Sequence, residues 1–227
     1  MSEIDNEKLL DGQLFARMAE GAAQQLRLNA KEVNELNVFP VPDGDTGDNM
    51  YLTIDSGASA SSGEAPDLGE AASRMAKGML LGARGNSGVI LSRIFAGIAG
   101  GFEGSATADL NTVAEAFRLG SKEAYGAVSN PVEGTILTVF RDAVTFAGSN
   151  ISEQSDLDSY FDDLIAELRR SLERTPDLLD VLREAGVVDS GGAGLVYIAE
   201  GMKNGLDGLT FAPTGKTLDK AAKPIDI

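Results

Sequence analysis

Residues 37–50 read NVFPVPDGDTGDNM, and the rest of the chain is unlike them. Pro40 and Pro42 lie two apart, and Asp43, Asp45 and Asp48 follow with Gly44 and Gly47 between them. Apolar residues stop recurring at helical spacing here, so the stretch reads as a loop running into a helix at Met50. Carboxylates packed this closely repel one another unless water screens them or a cation sits among them. Upstream of the loop the period is helical. Leu14, Met18, Ala22 and Leu26 recur four apart, and Ala30, Val33 and Leu36 extend the apolar face to the loop itself.

The same period continues downstream. Leu68, Ala72, Met75 and Met79 mark a helix, and Val89 to Phe102 reads as a buried one. Val113 to Val128 and Thr135 to Ala147 follow. Asp156 to Arg174 is amphipathic, with Tyr160, Phe161, Ile165, Leu168 and Leu172 predicted to face inward. TPDLLDVLREAG, from Thr175 to Gly186, places Thr at an N-cap, Pro at the first helical position and Gly past the end. Gly191 to Lys203 is the last helix, and no Asn-Gly hairpin signal lies between alternating segments. The expected fold is all-α, with about eight helices or more by this periodicity. From Asp207 the periodicity is lost, so 1–206 is read as the domain and 207–227 as a linker or fraying tail.

Composition narrows the chemistry. The 227 residues contain no histidine and no cysteine. That excludes the usual zinc ligands, a Cys nucleophile, a Ser-His-Asp triad and a disulfide framework. A metal here is a hard cation on oxygen ligands. Acidic residues outnumber basic ones 35 to 19, for a net charge of −16, which argues against a nucleic-acid partner. No apolar run reaches the ~18–20 residues of a membrane span, and the acidic start MSEIDNEKLL is unlike a signal peptide, so a cytoplasmic location is expected.

Four polar turns each stand where a helix begins. They are Asp43 to Asn49, Arg84 to Gly88, Pro131 to Thr135 and Asp189 to Gly192. Unpaired N–H groups at a helix start are ready ligands for phosphate oxygens, glycine permits close approach, and Ser or Thr adds a donor. Any one such turn is more often an ordinary cap. Their company with Asp43 and Asp45, a pair suited to magnesium completed by phosphates, favours a nucleotide site. Two other motifs fail. An EF-hand register from Asp43 puts Asp48 where Gly is required and Ile54 where Glu is required, and TFAPTGKT, Thr210 to Thr217, lacks the first Gly of a Walker A loop.

LNVFPVPDGDTGDNM, GARGNSGVILS, NPVEGTILTV and AGVVDSGGAGLVYIAEG together resemble the N-terminal domain of the bacterial fatty acid kinase A subunit, in the DhaL-like superfamily of dihydroxyacetone kinases. The likeness runs from about Leu9 to Gly208. It implies a barrel of about eight antiparallel amphipathic helices that binds ATP or ADP and two magnesium ions at one end. Asp43 and Asp45 match the magnesium ligands, and Asn37 stands near the place of a third aspartate in the dihydroxyacetone kinases. Thr46, Gly47 and Asn49 match one phosphate-contacting turn, and Asn86, Ser87 and Gly88 a second. Gly134 and Thr135 match the turn near the nucleotide, and Asp189, Ser190 and Gly191 the closing loop. Asp48 departs from the family pattern and is read as pointing to water. Arg84 is the candidate cation beside the phosphates, a surface salt bridge being the competing reading.

The resemblance implies transfer of a phosphoryl group to a fatty-acid carboxylate presented by a carrier protein of the DegV type. It also implies downstream kinase domains, through which the protein would form a homodimer. A stand-alone nucleotide-bound regulator and a dihydroxyacetone-type kinase subunit are the alternatives.

Overall fold

Helical periodicity is realised in nine helices among residues 9–63 and 67–209, the part of the chain described by the structure, a computed structural model. They are α1 (Gly12–Glu35), α2 (Thr46–Ser61), α3 (Leu68–Gly82), α4 (Gly85–Gly101), α5 (Leu110–Ala127), α6 (Ile136–Ser149), α7 (Leu157–Leu178), α8 (Asp180–Ala185) and α9 (Ser190–Leu206). The Walker-like TFAPTGKT and most of the expected tail lie outside the described residues. Among the described residues no helix is long and apolar enough to cross a membrane.

Each helix packs on the next in sequence from α1 to α7, then α7 on α9, and α9 on α1. Eight helices thus close an all-α barrel, with the short α8 appended to α7. Short connections make neighbours antiparallel. In such a ring every second helix starts at the same end, so α2, α4, α6 and α9 all begin together. Alternation alone therefore gathers the four polar turns at one end.

The opposite end is closed by a feature too short for sequence periodicity to register. β1 (Leu10–Asp11) pairs antiparallel with β2 (Thr107–Ala108), and the backbone of Ala106 and Ser105 accepts from Leu68 and Gly69 at the start of α3.

Inside, α9 is buried at every position from Ser190 to Ala199. Helices α1, α2, α6 and α7 all pack on it. Its contact with α1 is backbone on backbone. A Cβ on Gly21 would lie 2.2 Å from the Gly201 carbonyl oxygen, and one on Gly201 would lie 2.3 Å from that of Gly21. Phe117, Tyr160 and Phe161 meet edge to face with centroids 5.7–6.0 Å apart, filling the side of the barrel between α5 and α7. A small internal cavity of about 20 Å³ is lined by Phe95, Phe140, Leu168 and Met202 among others.

Helix boundaries differ from the sequence reading in one instructive place. Thr175 does not start a helix, because α7 runs through it to Leu178 with Pro176 inside the last turn. Proline lacks the N–H that would bond the Leu172 carbonyl. The Thr175 hydroxyl donates to that carbonyl instead, at 2.7 Å, and accepts from Asp189 N at 3.1 Å. Gly186 does end α8 in the left-handed conformation, at φ 69°.

Candidate functional site

The loop from Asn37 to Asp45, which contains a cis Phe39–Pro40 bond, is held from within. Asn37 is 9% exposed; its Nδ2 donates to Thr46 Oγ1 at 2.6 Å and its Oδ1 accepts from Gly44 N at 2.9 Å. Gly44 has φ +68°, where a side chain would be strained. The Asn37 amide thus shapes the loop through both of its ends.

The first helix turn starts earlier than expected, at Thr46 rather than Met50. Gly47 explains why periodicity missed it. Its hydrogen faces α1, where a Cβ would come within 2.1 Å of the Ala30 carbonyl oxygen. From α1, Asn34 Oδ1 accepts from Gly47 N at 2.7 Å and Asp48 N at 3.2 Å, and Asn34 Nδ2 donates to Asp48 Oδ2 at 3.1 Å. Asp48 is exposed, as predicted, yet tethered.

The second turn also starts early, with Arg84 as N-cap and Gly85 as first residue. No side chain caps α4, and Gly88 N is the first to reach a carbonyl, that of Arg84. The N–H groups of Gly85, Asn86 and Ser87 have no acceptor among the described residues. Arg84 N donates to Thr53 Oγ1 at 3.1 Å, tying this turn to α2, and its exposed guanidinium forms no ion pair among the described residues. Gly85, at φ +59°, sits against Asn49: a Cβ there would be 2.4 Å from Asn49 Nδ2. Gly88 packs on Thr53, whose hydroxyl would be 2.3 Å from an added Cβ.

The third and fourth turns are joined by one carboxylate. Asp189 is buried, and its side chain accepts from Gly192 N at 2.7 Å, with Ile136 and Gly191 N–H groups also directed at it. Burial pushes its pKa up to about 6, against the pull of those three donors. Gly134 is buried at φ +82°, under Thr175 O and the side chains of Leu178 and Leu179, and its N–H donates to Thr138 Oγ1 at 2.9 Å. Thr135 turns its hydroxyl to Val132 O at 2.8 Å. Beside it, Arg141 binds Glu133 and the Tyr125 hydroxyl at 2.8 and 2.9 Å. Burial pushes Glu133 up, but Arg141 and Thr138 outweigh it and hold the carboxyl below its ordinary range. The Arg141–Glu133 clamp on this turn was missed from sequence. Its sequence signal is faint, an arginine eight residues from Glu133 and next to Asp142, which it also pairs with.

All the predicted site positions therefore share one end, but they are not equivalent. Gly47, Gly88, Gly134, Gly191 and Asp189 are buried and shape the turns. Open groups concentrate on the α2 and α4 side. Asp43 is exposed and Asp45 half-buried, and neither carboxylate makes a hydrogen bond or ion pair among the described residues. Ser190 Oγ lies 3.3 Å from Thr46 Oγ1, bringing the fourth turn to the first.

A family model for the DAK2 domain matches residues 40–204. The chain belongs to the DAK2-domain family.

This DAK2 domain is 48% identical over 203 residues to an uncharacterized protein of Staphylococcus haemolyticus, covering 89% of this chain and 37% of that one. It is 47% identical over 204 residues to protein YloV of Bacillus subtilis, covering 89% of this chain and 37% of that one. The domain thus spans under two-fifths of the length of these relatives. Its fold matches a dihydroxyacetone kinase from C. freundii, crystallised with AMP-PNP and Mg2+, with a TM-score of 0.63 and 18% identity over 90% of this chain and 36% of that one. The native form of that kinase matches with a TM-score of 0.58 and 17% identity, over 85% of this chain and 34% of that one.

The donor set of this DAK2 domain fits a hard divalent cation with a polyphosphate. Among the described residues no three acidic side chains form a metal cluster. Magnesium uses one or two carboxylates and completes its shell with water and phosphate oxygens, so Asp43 and Asp45 suffice. Asp45 supports the fit. Six helices have an aspartate N-cap, and in five of them (Asp11, Asp67, Asp109, Asp156 and Asp189) the side chain accepts a backbone N–H, whereas Asp45 does not.

Proposed function

We propose that this chain is the nucleotide-binding domain of a kinase, and that the whole protein transfers the γ-phosphoryl group of ATP to a fatty-acid carboxylate on a carrier protein of the DegV type. One observation carries the reading. The unengaged carboxylates of Asp43 and Asp45 share one end of the barrel with the open N–H groups of Gly85, Asn86 and Ser87. The first suit a cation and the second suit phosphate oxygens. The choice of a fatty acid as acceptor rests on the resemblance of the four motifs to fatty acid kinases alone.

In the reaction a carboxylate oxygen forms a bond to the γ-phosphorus while the bond to the β,γ-bridging oxygen breaks, and ADP leaves. A carboxylate with an ordinary pKa of about 4 is ionised at pH 7, so no general base is required, in keeping with a chain without histidine. A magnesium ion held by Asp43 and Asp45 would supply charge neutralisation on the phosphates. The chain's own part is positional. The N–H groups of the α4 turn and the Ser87 hydroxyl orient phosphate oxygens, and the ion-pair-free Arg84 adds positive charge beside them.

The same end supports a partner that covers it. Leu81 is 85% exposed at the end of α3, and Val41, Val89, Val132 and Leu178 stand exposed on the loops and helix ends around the turns. We read the acceptor as arriving from outside the barrel, since the cavity of about 20 Å³ lined by Phe95 and Met202 is too small for an acyl chain. We read the remainder of the longer relatives, together with the carrier, as what closes the site, and this chain alone as a module that holds nucleotide with slow turnover. Calorimetric titration of ATP with and without magnesium, followed by an acyl-phosphate assay with loaded carrier, tests both parts. Magnesium-dependent binding with little acyl phosphate is expected. ATP binding that ignores magnesium contradicts the site, and fast turnover by the chain and carrier alone contradicts the need for the remainder.

A further inference from the structure

Asp45 is an aspartate in the one position where aspartate is most useful to a helix, and its carboxylate makes no capping hydrogen bond there. The five capping aspartates of this protein have extended backbones, with ψ of 174°, 169°, 173°, −178° and 123°. Asp45 has ψ 3°, which carries its side chain away from the N–H groups of α2. Those groups are nonetheless satisfied. Asn34, from the last turns of α1, accepts from both Gly47 N and Asp48 N, the second and third residues of α2. The approach is possible because Gly47 lets the start of α2 lie directly on Ala30. The other end of the same amide holds Asp48 Oδ2. One side chain therefore does the work of a cap and restrains the third aspartate of the loop.

We propose that Asn34 is a positioning residue that caps α2 in place of Asp45, and so holds the Asp45 carboxylate free for a divalent cation. The proposal rests on the reading of Asp43 and Asp45 as cation ligands. Without the Asn34 amide, the two N–H groups of α2 lose their acceptor. The nearest replacement in sequence is the Asp45 carboxylate, at the position from which five other aspartates already cap. A carboxylate drawn onto backbone N–H groups is withdrawn from a cation, so capping and cation binding compete for it.

The competition is testable without metal. Asn34→Ala, Asp45→Ala and the double variant are unfolded in denaturant with EDTA present. Asp45→Ala alone leaves the midpoint unchanged, because Asp45 caps nothing; in the Asn34→Ala background the same substitution lowers it, because Asp45 has become the cap. An equal shift in both backgrounds overturns the proposal. The second measurement is Mn2+ binding by electron paramagnetic resonance in the presence of AMP-PNP. Asn34→Ala weakens it about tenfold, the lower range for loss of a residue that orients a ligand, and Asp45→Ala abolishes it. Unchanged Mn2+ affinity in Asn34→Ala, with affinity lost in Asp45→Ala, overturns the proposal and spares the site. Unchanged affinity in both overturns the site and the proposal with it.

Discussion

Ser190 Oγ lies 3.3 Å from Thr46 Oγ1, across 144 residues of sequence. Each is the first residue of its helix, α9 and α2. Thr46 Oγ1 also accepts from Asn37 Nδ2, so a single hydroxyl oxygen joins the acidic loop, the helix it opens and α9.

Cation dependence is the first consequence. Replacing Asp43 and Asp45 together with alanine should abolish magnesium-dependent ATP binding while the far-ultraviolet circular dichroism stays helical. Neither carboxylate makes a hydrogen bond or ion pair among the described residues, so no structural partner there is lost. Titration calorimetry checks this, and wild-type ATP affinity retained in excess EDTA contradicts it.

The α4 turn should respond without loss of fold. Ser87→Ala is expected to weaken ATP by about 0.5–1.5 kcal/mol, the scale of one hydrogen bond. Gly88→Ala is a different experiment. Its Cβ would meet Thr53 Oγ1 at 2.3 Å, so reduced thermal stability should accompany any change in affinity. Unaltered affinity in Ser87→Ala and Ser190→Ala alike would show that these turns do not share a ligand.

Asp189 predicts a pH dependence of opposite sign to that of a salt-bridged carboxylate. Burial pushes its pKa up to about 6, so the folded chain holds this proton at pH values where the unfolded chain has released it. Its contribution to stability is therefore present near pH 4, falls as pH rises through about 6, and is level above that. Asp189→Asn removes the dependence. Across that window the wild type should lose roughly 3 kcal/mol relative to the variant, at 1.36 kcal/mol per pKa unit. Denaturant unfolding at several pH values measures it, and parallel curves for the two proteins contradict it.

Packing between α1 and α9 should tolerate no side chain at its crossing. Gly201→Ala would place a Cβ 2.3 Å from the Gly21 carbonyl oxygen, a backbone atom that cannot rotate aside. A loss of about 1–3 kcal/mol is expected, the range for an overpacked core. Chemical denaturation gives the value, and an unchanged midpoint would mean that the helices separate freely.

The helices were legible in sequence because most bury one stripe. Met18, Leu26, Met75, Met79, Phe161 and Leu168 are all buried as their spacing requires. The four turns were legible as clusters of Gly, Ser, Thr and Asp. Their gathering at one end follows from antiparallel alternation, once eight helices are known to close a ring. What escaped detection depends on contacts distant in sequence. The early starts of α2 and α4 are hidden because Gly47 and Gly88 carry no side chain to mark the faces they bury. The passage of α7 through Pro176 depends on Thr175, held there by Asp189. Asn34 reads as one more polar residue on a helix surface, and nothing in its own segment shows that it caps another helix.

The alternating ring has an electrical corollary. The end where α2, α4, α6 and α9 begin is also where α1, α3, α5 and α7 terminate, so the helix macrodipoles cancel and the barrel presents no net positive pole there. The chain as a whole carries −16. At long range a triphosphate is repelled, and attraction begins only within the last few ångströms, where individual N–H groups and a cation act. Added salt shortens the reach of the repulsion, to about 8 Å at physiological ionic strength, while affecting contact hydrogen bonds much less. Nucleotide capture by this protein should accordingly speed up as ionic strength rises, the reverse of an electrostatically steered encounter.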